Sequence, residues 1–341
     1  MRKKIVTVMY VISMAAIMMT GCGDKKESTT GETTEIVTTE TEEVSATKTE
    51  AAIETLDGEE DEENYDTGDA SLDNPRNQDE IGENELLVVS FGTSFNDNRV
   101  QTIGAIEADI EAAYGEQYSV RRGFTSQIII DHVKSRDGEV IDNVGEAIDR
   151  AVANGVKNLV VQPTHLMDGL EYNDLVTEVG QYAEAFDSIK IGAPLLTTDE
   201  DFEAVAQAIV ADTAVYDDGE TAICFMGHGT EADSNAVYAK MQEVLTAGGY
   251  TNYYIGTVEA EPSLEDVIAK VSEGEYKRVV LQPLMIVAGD HANNDMAGDE
   301  EDSWKSAFEA EGYEVICVVK GLGELQAIRD LIVAHVAEVL E

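Results

Sequence analysis

The segment Leu159-Val160-Val161-Gln162-Pro163 returns 120 residues later as Val279-Val280-Leu281-Gln282-Pro283. Two further segments repeat in the same order. Val88-Val89-Ser90-Phe91-Gly92-Thr93 is answered by Cys224-Phe225-Met226-Gly227-His228-Gly229-Thr230, and Gly123-Phe124-Thr125-Ser126 by Gly256-Thr257-Val258-Glu259. Three matched segments in one order mark a duplicated unit. The apolar runs that open them are short and continuous, as in strands buried on both faces of a parallel sheet. In the first half, strands over 86–91 and 159–162 precede helical stretches over 99–114 and 172–186. The second half gives strands over 222–226, 253–257, 278–282 and 315–319, with helices over 234–247 and 264–273. This alternation predicts an α/β fold. Two Rossmann-like lobes, 86–217 and 218–341, each a parallel sheet flanked by helices, face one another across a cleft.

The first 85 residues stand outside that pattern. Arg2, Lys3 and Lys4 precede an apolar run over 5–19, which is short of the roughly twenty residues a spanning helix needs. It suits the apolar part of a signal peptide, residues 1–22. Met19-Thr20-Gly21-Cys22 resembles a bacterial lipobox, which implies an extracytoplasmic protein tied to the cell membrane by a lipid on Cys22. Residues 23–85 hold 22 acidic and 4 basic side chains and few large apolar ones. A disordered acidic tether that adds nothing to the core is expected there. The whole chain carries a net charge of −47, which excludes nucleic acid as a partner. Cys224 and Cys317 lie within apolar runs and are read as buried small hydrophobes rather than a disulfide. A homo-oligomer is allowed, though no segment specifies one.

In open parallel sheets, ligands bind beyond the carboxyl ends of the strands, and all three repeated segments lie at such ends. There the halves differ. His228 stands where the first half has Phe91, Glu259 where it has Ser126, and His291 where it has Glu171. Two imidazoles and a carboxylate suit a divalent Co, Ni, Fe or Zn ion. Three protein ligands leave positions open for a metal that must react or leave. Gly227 and Gly229 around His228 are read as allowing a ligand close to the backbone. Glu261 is the competing carboxylate, but Pro262 ends the extended segment. Of the remaining histidines, His335 falls on the last helix as a surface or packing residue. His132 follows the apolar run 128–130 and is given no role, and His165 lies at the cleft edge of the first lobe, hydrogen-bonded within its own loop.

The segments SFGTSF (90–95), VQPTHLMDGLEY (161–172), MGHGTEADSNAVY (226–238), GTVEAEPS (256–263) and LQPLMIVAGDHANNDMAG (281–298) resemble the anaerobic-type sirohydrochlorin cobaltochelatases. That family belongs to the class II chelatase superfamily, which includes ferrochelatase, and the resemblance covers residues 86–341. It implies a chelatase-like fold with a tetrapyrrole bound between the lobes and no prosthetic group. It also implies a divalent metal substrate, Co(II) first with Fe(II) or Ni(II) as alternatives, held by His228, Glu259 and His291. His228 and His291 are the expected catalytic residues, with His228 as ligand and base. Sirohydrochlorin is rich in carboxylates and this body is acidic. Stacking, backbone donors at Gly92 to Ser94, and the cations Arg99, Arg121 and Arg122 are therefore expected to hold it. The extracytoplasmic address suggests a second reading, capture of metal or of a haem-like tetrapyrrole for uptake without turnover.

Overall fold

A computed structural model describes residues 67–340. The signal-like segment 1–22, Cys22 and the acidic stretch to residue 66 lie outside the described residues. The first sheet holds β1 (Asn84–Ser90), β2 (Ser119–Phe124), β3 (Asn158–Pro163) and β4 (Ser188–Ile191) in the order β2-β1-β3-β4. The second holds β5 (Thr221–Gly227), β6 (Tyr253–Thr257), β7 (Arg278–Pro283) and β8 (Glu314–Cys317) in the order β6-β5-β7-β8. Every pairing is parallel, and Val88↔Gln162 in one sheet corresponds to Phe225↔Gln282 in the other. The duplication read from the repeated segments is thus a duplication of sheet order. The sequence pattern gave no range for β2, implied only by the strand end at 123–126, and missed β4; the runs Ser119–Phe124 and Ser188–Ile191 are short and interrupted by Arg or Lys.

The helices follow in chain order. α1 (Asn96–Arg99) runs through a π-helical turn at Val100–Gly104 into α2 (Ala105–Tyr114). After these come α3 (Gln127–Asp137), α4 (Val144–Ala153), α5 (Leu170–Gly180), α6 (Asp199–Thr213), α7 (Ala236–Ala247), α8 (Leu264–Ser272), α9 (Trp304–Ala310) and α10 (Gln326–Leu340). Asn143, Thr198 and Ser263 open α4, α6 and α8 with reciprocal capping boxes, each satisfying two otherwise unpaired amides. Strand residues alternate between faces. Leu87 and Val89 pack with Ile148 of α4 and Leu175 of α5, and Leu86 and Val88 enter a larger cluster on the other face. Cys224 and Met226 pack under Val267 of α8 and Trp304 of α9, with Ile223 and Phe225 facing the opposite way. Cys224 is buried and Cys317 partly so; both are free thiols.

Residues 67–85 do not behave as a tether. Asp73 reaches the guanidinium groups of Arg99 (2.6 Å) and Arg122 (2.6 Å), and Arg76 reaches Glu107 at 3.2 Å. Glu85 lies within β1, fully buried beside Arg121. A polar segment can order without a core of its own when its charges neutralise others that folding buries. Arg99, Arg121 and Arg122 are each 0% exposed, so they are structural cations and not the carboxylate-binding groups the sequence suggested.

The lobe boundary at 217/218 also misplaces one element. Helix α10 comes from the second half of the sequence but packs on the first. Tyr114 Oη donates to the Val333 carbonyl (3.3 Å), Lys190 Nζ to the Val339 carbonyl (2.6 Å), and Arg329 pairs with Asp109 at 2.6 Å. Its apolar face joins Leu86, Val88 and Val160 in one cluster with the residues of α6. His335 of α10 is buried, and its Nε2 lies 3.0 Å from Asp201 Oδ1 of α6, so it is a packing residue that joins two helices. Burial alone would raise the Asp201 pKa. Hydrogen bonds from Thr198 and His335 outweigh it and hold the carboxyl below its ordinary value. A depressed carboxylate contributes stability above its unfolded pKa and loses it as pH falls through the folded value. His335→Ala is therefore expected to leave metal insertion unchanged and to cost about 1–3 kcal/mol of stability at neutral pH. The deficit should shrink in acid, as urea denaturation at several pH values will show.

Candidate metal centre

His228, Glu259 and His291 offer ligand atoms that all lie within 4.8 Å of one another, and no other such cluster occurs among the described residues. Each stands just beyond a different strand of the second sheet: β5, β6 and β7. The backbone draws the first two together. The amides of Val258 and Glu259 donate to the His228 carbonyl at 3.1 and 2.9 Å. His228 Nε2 is then 3.7 Å from Glu259 Oε1.

The two glycines around His228 serve this local packing. A Cβ at Gly227 would stand 2.1 Å from the Tyr238 ring, and Gly229 has φ +93° with the Ala260 amide 2.8 Å from where its Cβ would be. Only glycine lets the β5 loop lie this close to the β6 loop.

The third side chain stands on the residue that opens the π-helical turn at Ala292–Met296, after the loop that follows β7. The His228 and His291 rings meet edge to face, 4.7 Å between centroids. The far nitrogen of each ring is already engaged. His228 Nδ1 donates to the Gly229 carbonyl at 2.8 Å, and His291 Nδ1 lies 2.7 Å from Asp295 Oδ2. These bonds fix the tautomers so that both Nε2 atoms are left as electron-pair donors. Burial by itself would lower the His291 pKa. The hydrogen bond and charge of Asp295, with Asp290 and Glu259 nearby, outweigh it and raise it. Asp295 is the partner the sequence reading missed, although its spacing four residues after His291 on a helical turn is the signal that finds it.

Glu261 belongs elsewhere. It is exposed, and the neighbouring Asp266 carboxyl raises the Glu261 pKa while its own is lowered. His132 lies on α3, outside the cluster. His165 is not held by its loop as expected, since neither ring nitrogen meets a protein partner. Burial lowers its pKa to about 4, so it stands as a neutral ring.

In the first lobe, the counterparts of His228, Glu259 and His291 are engaged differently. Ser126 caps α3 by accepting from the Ile129 amide, and Glu171 accepts from Thr125 Oγ1 at 2.8 Å. Phe91, the counterpart of His228, is 47% exposed, and Leu170, beside Glu171, is 67% exposed. The lobes touch through these same carboxyl-end loops. A Cβ on Gly289 would stand 3.1 Å from Thr93 Oγ1, and one on Gly169 would stand 3.4 Å from Ser234 Oγ.

A family model described as cobalt chelatase (CbiK) matches residues 84–341. The sirohydrochlorin cobaltochelatase of Salmonella typhimurium is 37% identical over 255 residues, spanning 75% of this chain and 96% of that protein. The sirohydrochlorin cobaltochelatase CbiKC of Nitratidesulfovibrio vulgaris is 29% identical over 252 residues, 73% of this chain and 88% of that one. Among solved structures, SirB from Bacillus subtilis with Fe3+ superposes with a TM-score of 0.54 at 13% identity. It covers 76% of this chain and 96% of its own, a likeness of fold. With its duplicated parallel sheets and a match that spans both of them, this chain belongs to the CbiK cobalt chelatase family.

Proposed function

We propose that this chain inserts Co(II) into sirohydrochlorin, and that it does so as an exported lipoprotein anchored through Cys22. The observation that carries the chemistry is the donor set at one sheet edge, two imidazole nitrogens and a carboxylate oxygen within 4.8 Å. Its ring tautomers are fixed from behind by Gly229 and Asp295. Three such ligands hold a divalent ion and leave coordination positions for the incoming pyrrole nitrogens. Insertion releases two pyrrole protons. His228 takes one as its bond to the metal is exchanged, since imidazole accepts protons near neutrality, and the other passes to solvent. Glu259 offsets one of the two charges of the ion while it waits.

The macrocycle lies against the first lobe, where the half-exposed ring of Phe91 and the exposed side chain of Leu170, beyond the carboxyl ends of its strands, supply apolar surface. Stacking and apolar contact suit a conjugated ring whose own carboxylates the acidic body repels.

Purified protein given excess sirohydrochlorin and Co(II) should change the tetrapyrrole absorbance steadily over many equivalents. A change that stops at one equivalent per chain would instead mean capture without turnover. The address has its own test. Cys22→Ser should move the protein from the membrane to the soluble fraction with its specific activity kept, and full retention on membranes would refute the anchor.

A further inference from the structure

The loop that carries His291 is held from the other lobe. Ala288, buried at 1% exposure, donates its amide to Asn98 Oδ1 of α1 at 2.8 Å, and Asn98 Nδ2 donates to Glu324 Oε1 at 3.3 Å. Glu324 in turn accepts from the Gly321 amide at 3.0 Å, and Gly321 and Gly323 pack against the backbone of Ile286 and Val287 just before Ala288. One amide side chain from the first lobe thus ties together two segments of the second, three residues ahead of His291. Gly289, the next residue, abuts Thr93 so closely that a Cβ there would meet its hydroxyl at 3.1 Å.

Two features indicate that this contact does more than join surfaces. Each of its ends leads into a π-helical turn, Val100–Gly104 after Asn98 and Ala292–Met296 after Ala288. Such turns insert an extra residue into a helix and recur at functional sites. In addition, the first-lobe partner is planar and bidentate, with a donor and an acceptor that cannot be exchanged. The acceptor must face an amide N–H, and the donor must face a carboxylate.

We propose that Asn98 is an interlobe positioning residue that sets where His291 stands in the metal site. The cleft that receives the macrocycle and the geometry that binds the ion are then coupled through one side chain. This rests on the reading of His291 as a metal ligand.

Titration calorimetry with Co(II) alone, steady-state insertion kinetics and thermal melts on the full chain test it. Asn98→Ala is expected to weaken Co(II) binding by about 10- to 100-fold, the scale seen for groups that orient a ligand from behind. kcat should fall with it, and KM for the tetrapyrrole should change by less than about threefold, since Phe91 and Leu170 are untouched. Asn98→Asp keeps the acceptor for Ala288 but sets a second carboxylate against Glu324, so it should weaken binding as well. Adding Glu324→Gln removes that like-charge contact but does not rebuild the hydrogen bond, because the one Oε1 that faces Asn98 also accepts from the Gly321 amide, so Co(II) affinity should recover in part.

A merely structural contact would lower the melting temperature in Asn98→Ala and leave Co(II) affinity within twofold, which overturns the proposal. So would a double variant no better than Asn98→Asp alone. His291→Ala is measured beside them. If it too keeps its Co(II) affinity, the metal-site reading itself has failed; if it loses affinity and Asn98→Ala does not, only the positioning role has.

Discussion

His228→Ala and His291→Ala are each expected to reduce Co(II) insertion by about a hundredfold or more, the scale of losing a group that acts on a proton or a ligand bond in the transition state. The two should differ in how they fail. His291 is backed by a carboxylate at 2.7 Å and His228 by a neutral carbonyl at 2.8 Å. A carboxylate raises the basicity of its imidazole more than a carbonyl does, so His291 is the firmer donor. His291→Ala should therefore lose most in Co(II) affinity, and His228→Ala most in kcat. At the carboxylate position, Glu259→Gln removes charge and keeps shape, and it should weaken Co(II) binding by about tenfold. Glu261→Gln, whose carboxyl is engaged with Asp266, should change it by less than about threefold, under 1 kcal/mol. Titration calorimetry and initial insertion rates on the four variants decide the matter. A Glu261 effect larger than the Glu259 effect would move the ligand to Glu261, and full activity in both histidine variants would end the metal-site assignment.

The parts of this molecule that were legible in the sequence are those whose signal is local. Continuous apolar runs at 86–90 and 279–281 read directly as strands buried on both faces, and comparing the two halves at their strand ends found His228, Glu259 and His291 together. What was hidden depends on partners far apart in the chain. Charge alone does not say whether Arg99 and Arg122 face solvent, because their neutralising partners Asp73 and Glu107 come from separate segments. The same blindness turned residues 67–85 into a tether, since their polarity is that of a disordered segment and their order comes from the arginines they cover. Helix α10 was assigned to its own half because a repeat shows which segments correspond, not which sheet a terminal helix covers. Asp295 was overlooked for a different reason. It lies four residues after His291, but a metal-site pattern names only the atoms that touch the ion and not the groups behind them.

Asp73→Ala is the substitution expected to cost the fold most, about 3–5 kcal/mol, the usual result of removing one partner from a buried ion pair. Asp73 Oδ2 lies 2.6 Å from both Arg99 Nε and Arg122 Nη1, and its Oδ1 lies 3.0 Å from Arg122 Nη2. Without it, two guanidinium groups with 0% exposure keep, among the described residues, Glu139 and Glu107 as ionic partners, at 2.9 Å and 2.7 Å. Such a loss is a large share of the 5–15 kcal/mol by which domains are usually stable. Part of it should reach the site, because Arg99 Nη1 also donates to the Thr93 carbonyl at 3.0 Å, and Thr93 is the residue that abuts Gly289. The pH dependence carries the sign of a depressed carboxyl. Burial pushes the Asp73 pKa up, but the hydrogen bonds and charges of Arg122 and Arg99 outweigh it and hold it below its ordinary value. Its contribution is therefore complete above the unfolded carboxylate pKa and disappears as pH falls through the folded one. Urea midpoints of the parent and of Asp73→Ala should be far apart at pH 7 and converge in strong acid. A chain beginning at residue 67 should match the parent, while one beginning at residue 84 should be at least as unstable as Asp73→Ala. If the chain lacking 67–83 melts with the parent, the arginines are satisfied without this segment and the segment is a tether after all.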